Sequence, residues 1–165
     1  MMFREMRRKR QQLPDNECIE ILESATSGVL AALGDEDYPY AVPLSYVYAD
    51  GKIYFHCAKT GHKLDAIKKH NKASFCVIAR DEIVPERYTT HYKSVIAFGK
   101  ARILENDSEI RESIELLAKK YNPTDTAEHR SAEIEREYSA LCMIELKIEH
   151  LTGKECIELT RQRES

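Results

Sequence analysis

Runs of apolar residues separated by turn signals predict an arrangement dominated by antiparallel strands. Six segments rich in β-branched, aromatic or alternating apolar residues are predicted as strands: 28–33, 40–48, 52–57, 73–79, 94–104 and 141–148. Asp50-Gly51 is a two-residue hairpin turn between the second and third of them. Pro43 lacks a backbone donor, which places the second strand at a sheet edge or a bulge. The polar segment around Pro85 and Tyr88 is predicted as a loop between the fourth and fifth strands.

Apolar residues at helical spacing predict three or four helices around these strands. One begins after Pro14 with Asp15 as its cap, and a short second one begins at Thr60. A third helix, capped by Asp107, carries an apolar stripe at Ile110, Ile114, Leu117 and Tyr121. Residues 122–138 are polar and predict a loop followed by a surface helix. Because strands and helices do not alternate regularly, we predict a small closed or half-closed antiparallel barrel with peripheral helices rather than a doubly wound sheet.

Composition indicates one soluble domain over residues 1–165, with a basic arm at 1–12 and a polar tail at 156–165. No run of uncharged apolar residues approaches the roughly 18 needed to span a membrane, and no apolar run follows the basic start as in a secretory signal. The net charge of −3 argues against a nucleic-acid binder held by bulk charge. The five cysteines are odd in number and lack CxxC spacing, which predicts reduced thiols in a cytoplasm.

The segment from Tyr54 to Lys63 (YFHCAKTGHK) carries the most chemistry, since the GxGxxG, Walker, HExxH and GxSxG motifs are all missing from the sequence. It runs from a strand end into a helix start, with Thr60 as a cap and Gly61 allowing a ligand to approach the backbone. The free amides of residues 61–63, the positive helix end and the charges of Lys59 and Lys63 predict an anion site that suits a phosphate. An ordinary capped helix with solvated lysines is the alternative.

Three further features have both a functional and a structural interpretation. His56 is either a hydrogen-bonded structural residue or a group that handles protons, and a metal site with His62 and His91 lacks any known ligand spacing. Ser94 either binds a ligand or simply begins a strand. The tyrosines at positions 38, 40, 46, 48 and 54 are core or interface residues, or a stacking surface for a planar cofactor.

An ordered set of segments resembles the pyridoxamine 5′-phosphate oxidase-related flavoproteins. The set comprises Ala41–Tyr46 (AVPLSY), the Asp50-Gly51 turn, Tyr54–Ala58 (YFHCA), Thr60–Lys63 (TGHK), Tyr92–Val95 (YKSV) and Phe98–Ala101 (FGKA). The similarity covers about residues 4 to 155 and is greatest to the nitroimidazole-resistance (Nim) branch, which shares the Arg-Arg-Lys start and the late Thr152-Gly153-Lys154.

This resemblance implies a mainly β fold, a six-stranded antiparallel split β-barrel with peripheral helices, that forms a homodimer with FMN in the cleft between the subunits. The implied reaction is reduction of a small planar acceptor, such as a nitroaromatic compound, at flavin N5, with electrons from a reduced nicotinamide or another small donor. Carried over by position, the cofactor-binding residues are Val42, Pro43, Leu44 and Ser45 along the isoalloxazine, His56 and Cys57 beside the ribityl phosphate, His62 and Lys63 at the phosphate, and Ser94 from the partner's side. Lys59, Thr60 and Gly61 join them around the phosphate as parts of the anion site predicted above. His56 is the candidate catalytic residue, as the side chain near the cleft best suited to handle protons.

Departures from the family pattern limit what the resemblance implies. Pyridoxamine phosphate oxidases proper have arginines at the positions of Ala41 and His62, and a C-terminal tryptophan, whereas this chain contains no tryptophan. Oxidation of vitamin B6 is therefore disfavoured, while the flavin site stands. Two other hypotheses remain: a non-catalytic flavin or haem carrier or sensor on the same barrel, and a nucleic-acid partner of the basic arm. For that arm, a solvated tail or a segment lying over a neighbouring subunit is the simpler interpretation.

Overall fold

A computed structural model of the protein describes residues 2–165. The strands are β1 (Gly28–Leu33), β2 (Pro39–Leu44), β3 (Val47–Ala49), β4 (Lys52–Ala58), β5 (Lys72–Val84), β6 (Thr89–Ile103) and β7 (Leu141–Glu155). The helices are α1 (Asp15–Ser24), α2 (His62–Lys69), α3 (Asp107–Tyr121), α4 (Ala127–Glu137) and α5 (Ile157–Glu164). No helix within the described range is long and apolar enough to cross a membrane.

All seven strands form one antiparallel sheet in the order β2-β1-β5-β6-β7-β4-β3. Its two edge strands, β2 and β3, are joined by only Ser45 and Tyr46, so the sheet curls until its edges meet at a seam. The predicted antiparallel split barrel with peripheral helices is therefore confirmed, and Pro43 lies in an edge strand. The predicted count of six strands is wrong, because Leu44 pairs with Gly28 of β1 whereas Val47 pairs with β4, and the chain leaves the ladder between them.

The predicted loop around Pro85 is instead the tip of a long hairpin. The β5–β6 ladder continues from the pair Arg80 and Lys93 to the pair Val84 and Thr89, beyond an irregularity after Ile78. The loop prediction was wrong because residues 80–83 of β5 are exposed on both faces of the sheet, and this part of the hairpin carries no alternation of polar and apolar side chains.

Alternate residues of the strands fill the barrel. Leu30, Phe55, Phe75 and Ile144 are fully buried in this core, which is continuous with α1. A second, smaller cluster forms where α3 packs Ile114 and Leu117 against Leu104 and Met143. The apolar stripe predicted for α3 therefore faces the barrel, as amphipathic spacing requires, and it fixes this helix beside the end of β4.

Helix starts differ in detail from the predicted caps. Asp15 is the first residue of α1, which follows Pro14 and has no side-chain cap. At α3 the capping residue is Asn106, one position before the predicted Asp107, because its side chain accepts hydrogen bonds from the amides of residues 108 and 109 at 3.0 and 3.2 Å. Gly61, and not Thr60, precedes α2, and no side chain caps that helix.

Both ends of the chain lie against the barrel. The segment expected to be a polar tail contains α5, of which Leu159 is buried. Within the basic arm, Arg10 pairs with Glu164 of α5 at 2.6 Å, and the ring of Phe3 stacks on His150 of β7 with centroids 4.6 Å apart. The arm thus covers part of the outer surface of β6 and β7.

Candidate functional site

The end of β4 and the seam between β2 and β3 meet at one cavity of about 670 Å³. Ser45 from the seam and His56, Cys57 and Ala58 from β4 line it, and α3 and α4 form its other walls. Alternation along β4 buries Ile53 and Phe55 in the barrel and leaves His56 exposed at the cavity. The structure therefore brings together three of the predicted site residues, Ser45 from the seam and His56 and Cys57 from β4.

The turn that follows β4 presents an uncapped helix start. The first helical hydrogen bond of α2 runs from the amide of Asp65 to the carbonyl of Gly61 at 3.1 Å, so the amides of residues 62–64 have no helical acceptor. Gly61 has φ of 134°, and a Cβ there would meet no atom within 4 Å, so the space beside it is open. Lys63 is half-buried and Lys59 exposed, and neither forms an ion pair within residues 2–165. These donors and charges suit a phosphate group.

The side chain of His62 is turned away from this helix start, toward the β1–β2 turn. Its Nε2 accepts a hydrogen bond from the amide of Asp35 at 3.3 Å and lies 3.8 Å from the carboxylate of the same residue. Its ring lies 4.1 Å from that of Tyr40, centroid to centroid. The imidazole therefore fastens α2 to the neighbouring hairpin, and Lys63 is the side-chain cation left beside the free amides.

Cys57 faces Cys142 across the β4–β7 ladder, and both side chains pack against the barrel core. Burial, and secondarily the nearby thiol of Cys142, raises the pKa of Cys57 to about 11, although the charge of Lys63 acts in the opposite direction. The thiol is therefore neutral at physiological pH and contributes surface and shape to the cavity rather than a nucleophile.

Strand β2 offers backbone groups rather than side chains. Val42 and Leu44 point toward the core, whereas Pro43 is exposed on the outer face. Since β2 ends the sheet, its outer edge has no strand partner in the part of the chain that the structure describes. Peptide groups along this edge are thus available to a planar ligand at the seam.

Ser94 does not join the other predicted positions within one chain. On β6, Ser94 is paired with Ile78 of β5 on one side and with Lys154 of β7 on the other. The residue of β6 nearest the end of β4 is Ile103, nine residues further along the same strand. Ser94 sits on the outer face of the sheet, where Ile78, Ile96 and Phe98 are 64%, 38% and 38% exposed. This apolar outer face is distinct from the cavity.

Sequence reasoning missed the wall that α3 and α4 contribute to the cavity. His129 lies 2.9 Å from both carboxylate oxygens of Asp125, and this contact raises the pKa of His129 and lowers that of Asp125. Arg130 is paired with Glu115 at 2.7 Å, which joins α4 to α3. The spacing of four residues between Asp125 and His129 indicates their pairing, but only the packed structure shows that they stand beside β4.

The curled antiparallel sheet defines a split-barrel protein, in which an uncapped helix start and a cavity lie beside the seam. The chain belongs to the pyridoxamine 5′-phosphate oxidase family, whose model matches residues 14–155. No curated protein sequence matches the chain significantly.

Solved structures with the same fold include proteins named for flavin or haem. A protein described as conferring 5-nitroimidazole antibiotic resistance in Bacteroides thetaiotaomicron superposes with a TM-score of 0.74 at 18% identity, covering 87% of this chain and 86% of its own. A FAD-binding protein of Mesorhizobium loti has a TM-score of 0.64 at 23% identity, over 88% and 96% of the two chains. A FAD and haem binding protein of Mycobacterium smegmatis has a TM-score of 0.72 at 19% identity, over 88% and 73%.

Proposed function

We propose that this protein is an FMN-dependent oxidoreductase of the Nim-like type, which reduces a small planar acceptor such as a nitroaromatic compound. The observation that carries the proposal is the uncapped start of α2 with Lys63, which lies next to the strand that presents His56. Family membership and the flavin proteins among the structural neighbours support it. The five free cysteines are consistent with a reducing, cytoplasmic setting.

The residues at the seam fit FMN in charge and in shape. The free amides of residues 62–64 and the charge of Lys63 would hold the phosphate, and the open space beside Gly61 would admit it. The unpaired edge of β2 around Pro43 would offer peptide groups to the polar edge of the ring. When bound, the flavin supplies the redox chemistry, and the protein supplies binding, orientation and electrostatics.

His56 is the side chain best suited to proton handling. It is exposed at the cavity wall, and its ring makes no hydrogen bond to any of residues 2–165. Because both ring nitrogens are free of such bonds, the imidazole can hold or release a proton at a ligand in the cavity. Ser45 also lines the cavity and offers a hydroxyl that would orient the same ligand.

A homodimer completes the proposal, and the outer face of the sheet supports it. Ile78 and Ile96 expose apolar surface there, beside Phe98, whose ring packs on Phe3 of the arm. A second copy covering this face would carry Ser94 to the partner's site. Ile96→Glu would then give monomers in light scattering after size exclusion. Leu116→Glu is the matched control, because Leu116 is 39% exposed on α3 and lies outside this face.

The cofactor claim is tested by titrating flavin-free protein with FMN and following the fluorescence of the flavin. Lys63→Glu removes a charge-assisted contact worth about 1.5–3 kcal/mol, which weakens binding by about 10-fold to 150-fold. Lys68→Glu makes the same charge change in the last turn of α2 and should leave the affinity nearly unchanged. Equal effects of the two variants would remove Lys63 from the site.

A turnover assay distinguishes the proposed enzyme from the alternative, a non-catalytic flavin or haem protein. The FAD and haem binding protein among the structural neighbours favours that alternative. The FMN-loaded protein is supplied with a reduced nicotinamide and a 5-nitroimidazole, and loss of both is followed. The proposal expects sustained consumption that His56→Ala lowers at least tenfold without loss of bound FMN. Bound flavin with negligible consumption for any donor would favour the carrier, and a Soret band would favour haem.

A further inference from the structure

The cavity at the end of β4 extends well beyond the residues that the proposed flavin site uses. Its far wall is apolar and consists of Ile114, Leu117, Ala118, Ile134 and Leu141. Its volume of about 670 Å³ lies within the range of roughly 300–1,000 Å³ that is typical of small-molecule pockets. The cavity is open to solvent on one side, so it is a cleft between packed elements that a ligand can enter directly.

Contacts around the cavity hold its helical walls apart from β4. Tyr121 at the end of α3 fixes that helix to the seam, since its hydroxyl accepts a hydrogen bond from the amide of Tyr46 at 3.1 Å and donates to the carbonyl of Thr26. The ion pair between Arg130 and Glu115 at 2.7 Å ties α4 to α3. The cavity is therefore braced by polar contacts on its rim and does not depend on a ligand to stay open.

The charged side chains on the rim are already paired, with carboxylates in excess. His129 pairs with Asp125 at 2.9 Å, Arg130 with Glu115 as described above, and Arg136 with both Glu133 at 2.5 Å and Glu137 at 3.1 Å. An anionic ligand would meet this excess of carboxylates without finding a free cation, and any charged ligand would lose its hydration against the apolar far wall, so the cavity favours a neutral molecule. Ser45 and His56 are polar residues of the lining outside these pairs, and they can hydrogen-bond one polar atom of such a molecule.

We propose that the cavity between β4, α3 and α4 binds a neutral, mainly apolar molecule of aromatic size, with its polar atom directed to Ser45 and His56. The assignment of this cavity to the electron acceptor rests on the proposed function, whereas the binding of a neutral apolar molecule there does not. It would select uncharged planar substrates and discriminate against anionic ones.

The test uses the neutral fluorophore N-phenyl-1-naphthylamine with the flavin-free protein, because its emission rises in apolar surroundings. Saturable binding at about one probe per chain is expected, and Ala118→Phe, which fills the cavity from α3, should weaken it at least tenfold. Leu116→Phe adds an aromatic ring to the exposed face of the same helix and should leave binding unchanged. Ala140→Trp fills the cavity from the exposed turn before β7, and it should repeat the loss of binding if the helix variant fails to fold.

Addition of FMN to the probe complex separates this inference from the proposed function. Probe that stays bound while FMN also binds supports two neighbouring sites. Displacement of the probe by FMN, or equal binding by Ala118→Phe and Leu116→Phe, would overturn the inference and leave the flavin proposal standing. Probe binding in a protein that retains no FMN would keep the cavity as a binding site and refute the flavoenzyme.

Discussion

Removing the hydroxyl of Tyr46 tests what holds the barrel closed at its seam. Tyr46 is fully buried in the two-residue connection between β2 and β3, and its hydroxyl donates to the carbonyl of Leu22 at 2.7 Å. Leu22 belongs to the last turn of α1, whose carbonyls have no partner within the helix. Burial raises the pKa of Tyr46 far above its ordinary value, so the hydroxyl is a neutral donor at every pH of interest.

Tyr46→Phe keeps the ring, which packs edge to face on Phe75 with centroids 4.8 Å apart, and removes only the hydroxyl. The carbonyl of Leu22 then stays buried without a donor, which costs about 1–3 kcal/mol. For a chain of 165 residues, about 2 kcal/mol lowers Tm by roughly 4–8 °C. Tyr48→Phe is the control, because Tyr48 is half-buried and its hydroxyl, which accepts from the amide of Gly51 at 3.2 Å, is within reach of water.

Urea unfolding followed by circular dichroism gives the free energy of unfolding of both variants. We expect Tyr46→Phe to lose at least about 1 kcal/mol more than Tyr48→Phe, with the same m-value as the parent protein. A loss no greater than that of Tyr48→Phe would show that water or an altered backbone satisfies the carbonyl of Leu22. The buried hydrogen bond would then not be what closes the seam against α1.

Three other substitutions test separate parts of the structure by urea unfolding. Gly99→Ala should lower the free energy of unfolding by about 3 kcal/mol, because a Cβ there would lie 2.0 Å from a carbonyl oxygen of β7. An unchanged urea midpoint would contradict the close approach of β6 and β7. Arg102→Met should lower the free energy of unfolding by about 2 kcal/mol, since it removes the guanidinium that contacts the buried carboxylate of Glu145 at 3.0 Å and leaves only the hydroxyl of Tyr54 at 3.3 Å and the ammonium of Lys52 at 3.7 Å. Adding Glu145→Leu should recover stability, and no recovery would argue against a poorly compensated buried charge as the cause. Asp125→Asn should be less stable than the parent chiefly between about pH 4 and 6.5. The lowered pKa of Asp125 gives stability that is lost as the pH falls through that pKa, and the raised pKa of His129 gives stability that is lost as the pH rises through that of His129. A difference in stability that does not depend on pH would refute the pairing.

Much of the fold follows from local patterns in the sequence. The alternation in Leu141–Ile148, the Asp50-Gly51 turn and the apolar stripe of α3 each specify an element without knowledge of its partners. The free amides at the start of α2 could be predicted in the same way, but the predicted cap at Thr60 was wrong, because the helix begins after Gly61 and no side chain caps it. These features depend on contacts between residues close in sequence.

The features that sequence reasoning missed depend on contacts between distant residues. The predicted strand 40–48 is interrupted at Ser45 because the chain pairs with β1 before this residue and with β4 after it. No local signal in the sequence marks this change of partner. His62 resembles a phosphate ligand by position, yet its ring is held by Asp35, 27 residues away. The cavity exists only because α3 and α4 pack against the end of β4, so its walls could not be predicted from the polar pattern of residues 122–138.

The visible absorption spectrum of the purified protein, recorded before and after addition of FMN and desalting, tests the central claim most directly. The account predicts flavin absorption bands that persist through desalting at about one FMN per chain, since a phosphate on the free amides and Lys63 dissociates slowly. A Soret band would contradict the account in favour of a haem protein. A colourless protein that does not retain added FMN would refute the flavoenzyme and leave the barrel with its cavity as a binding site for another ligand.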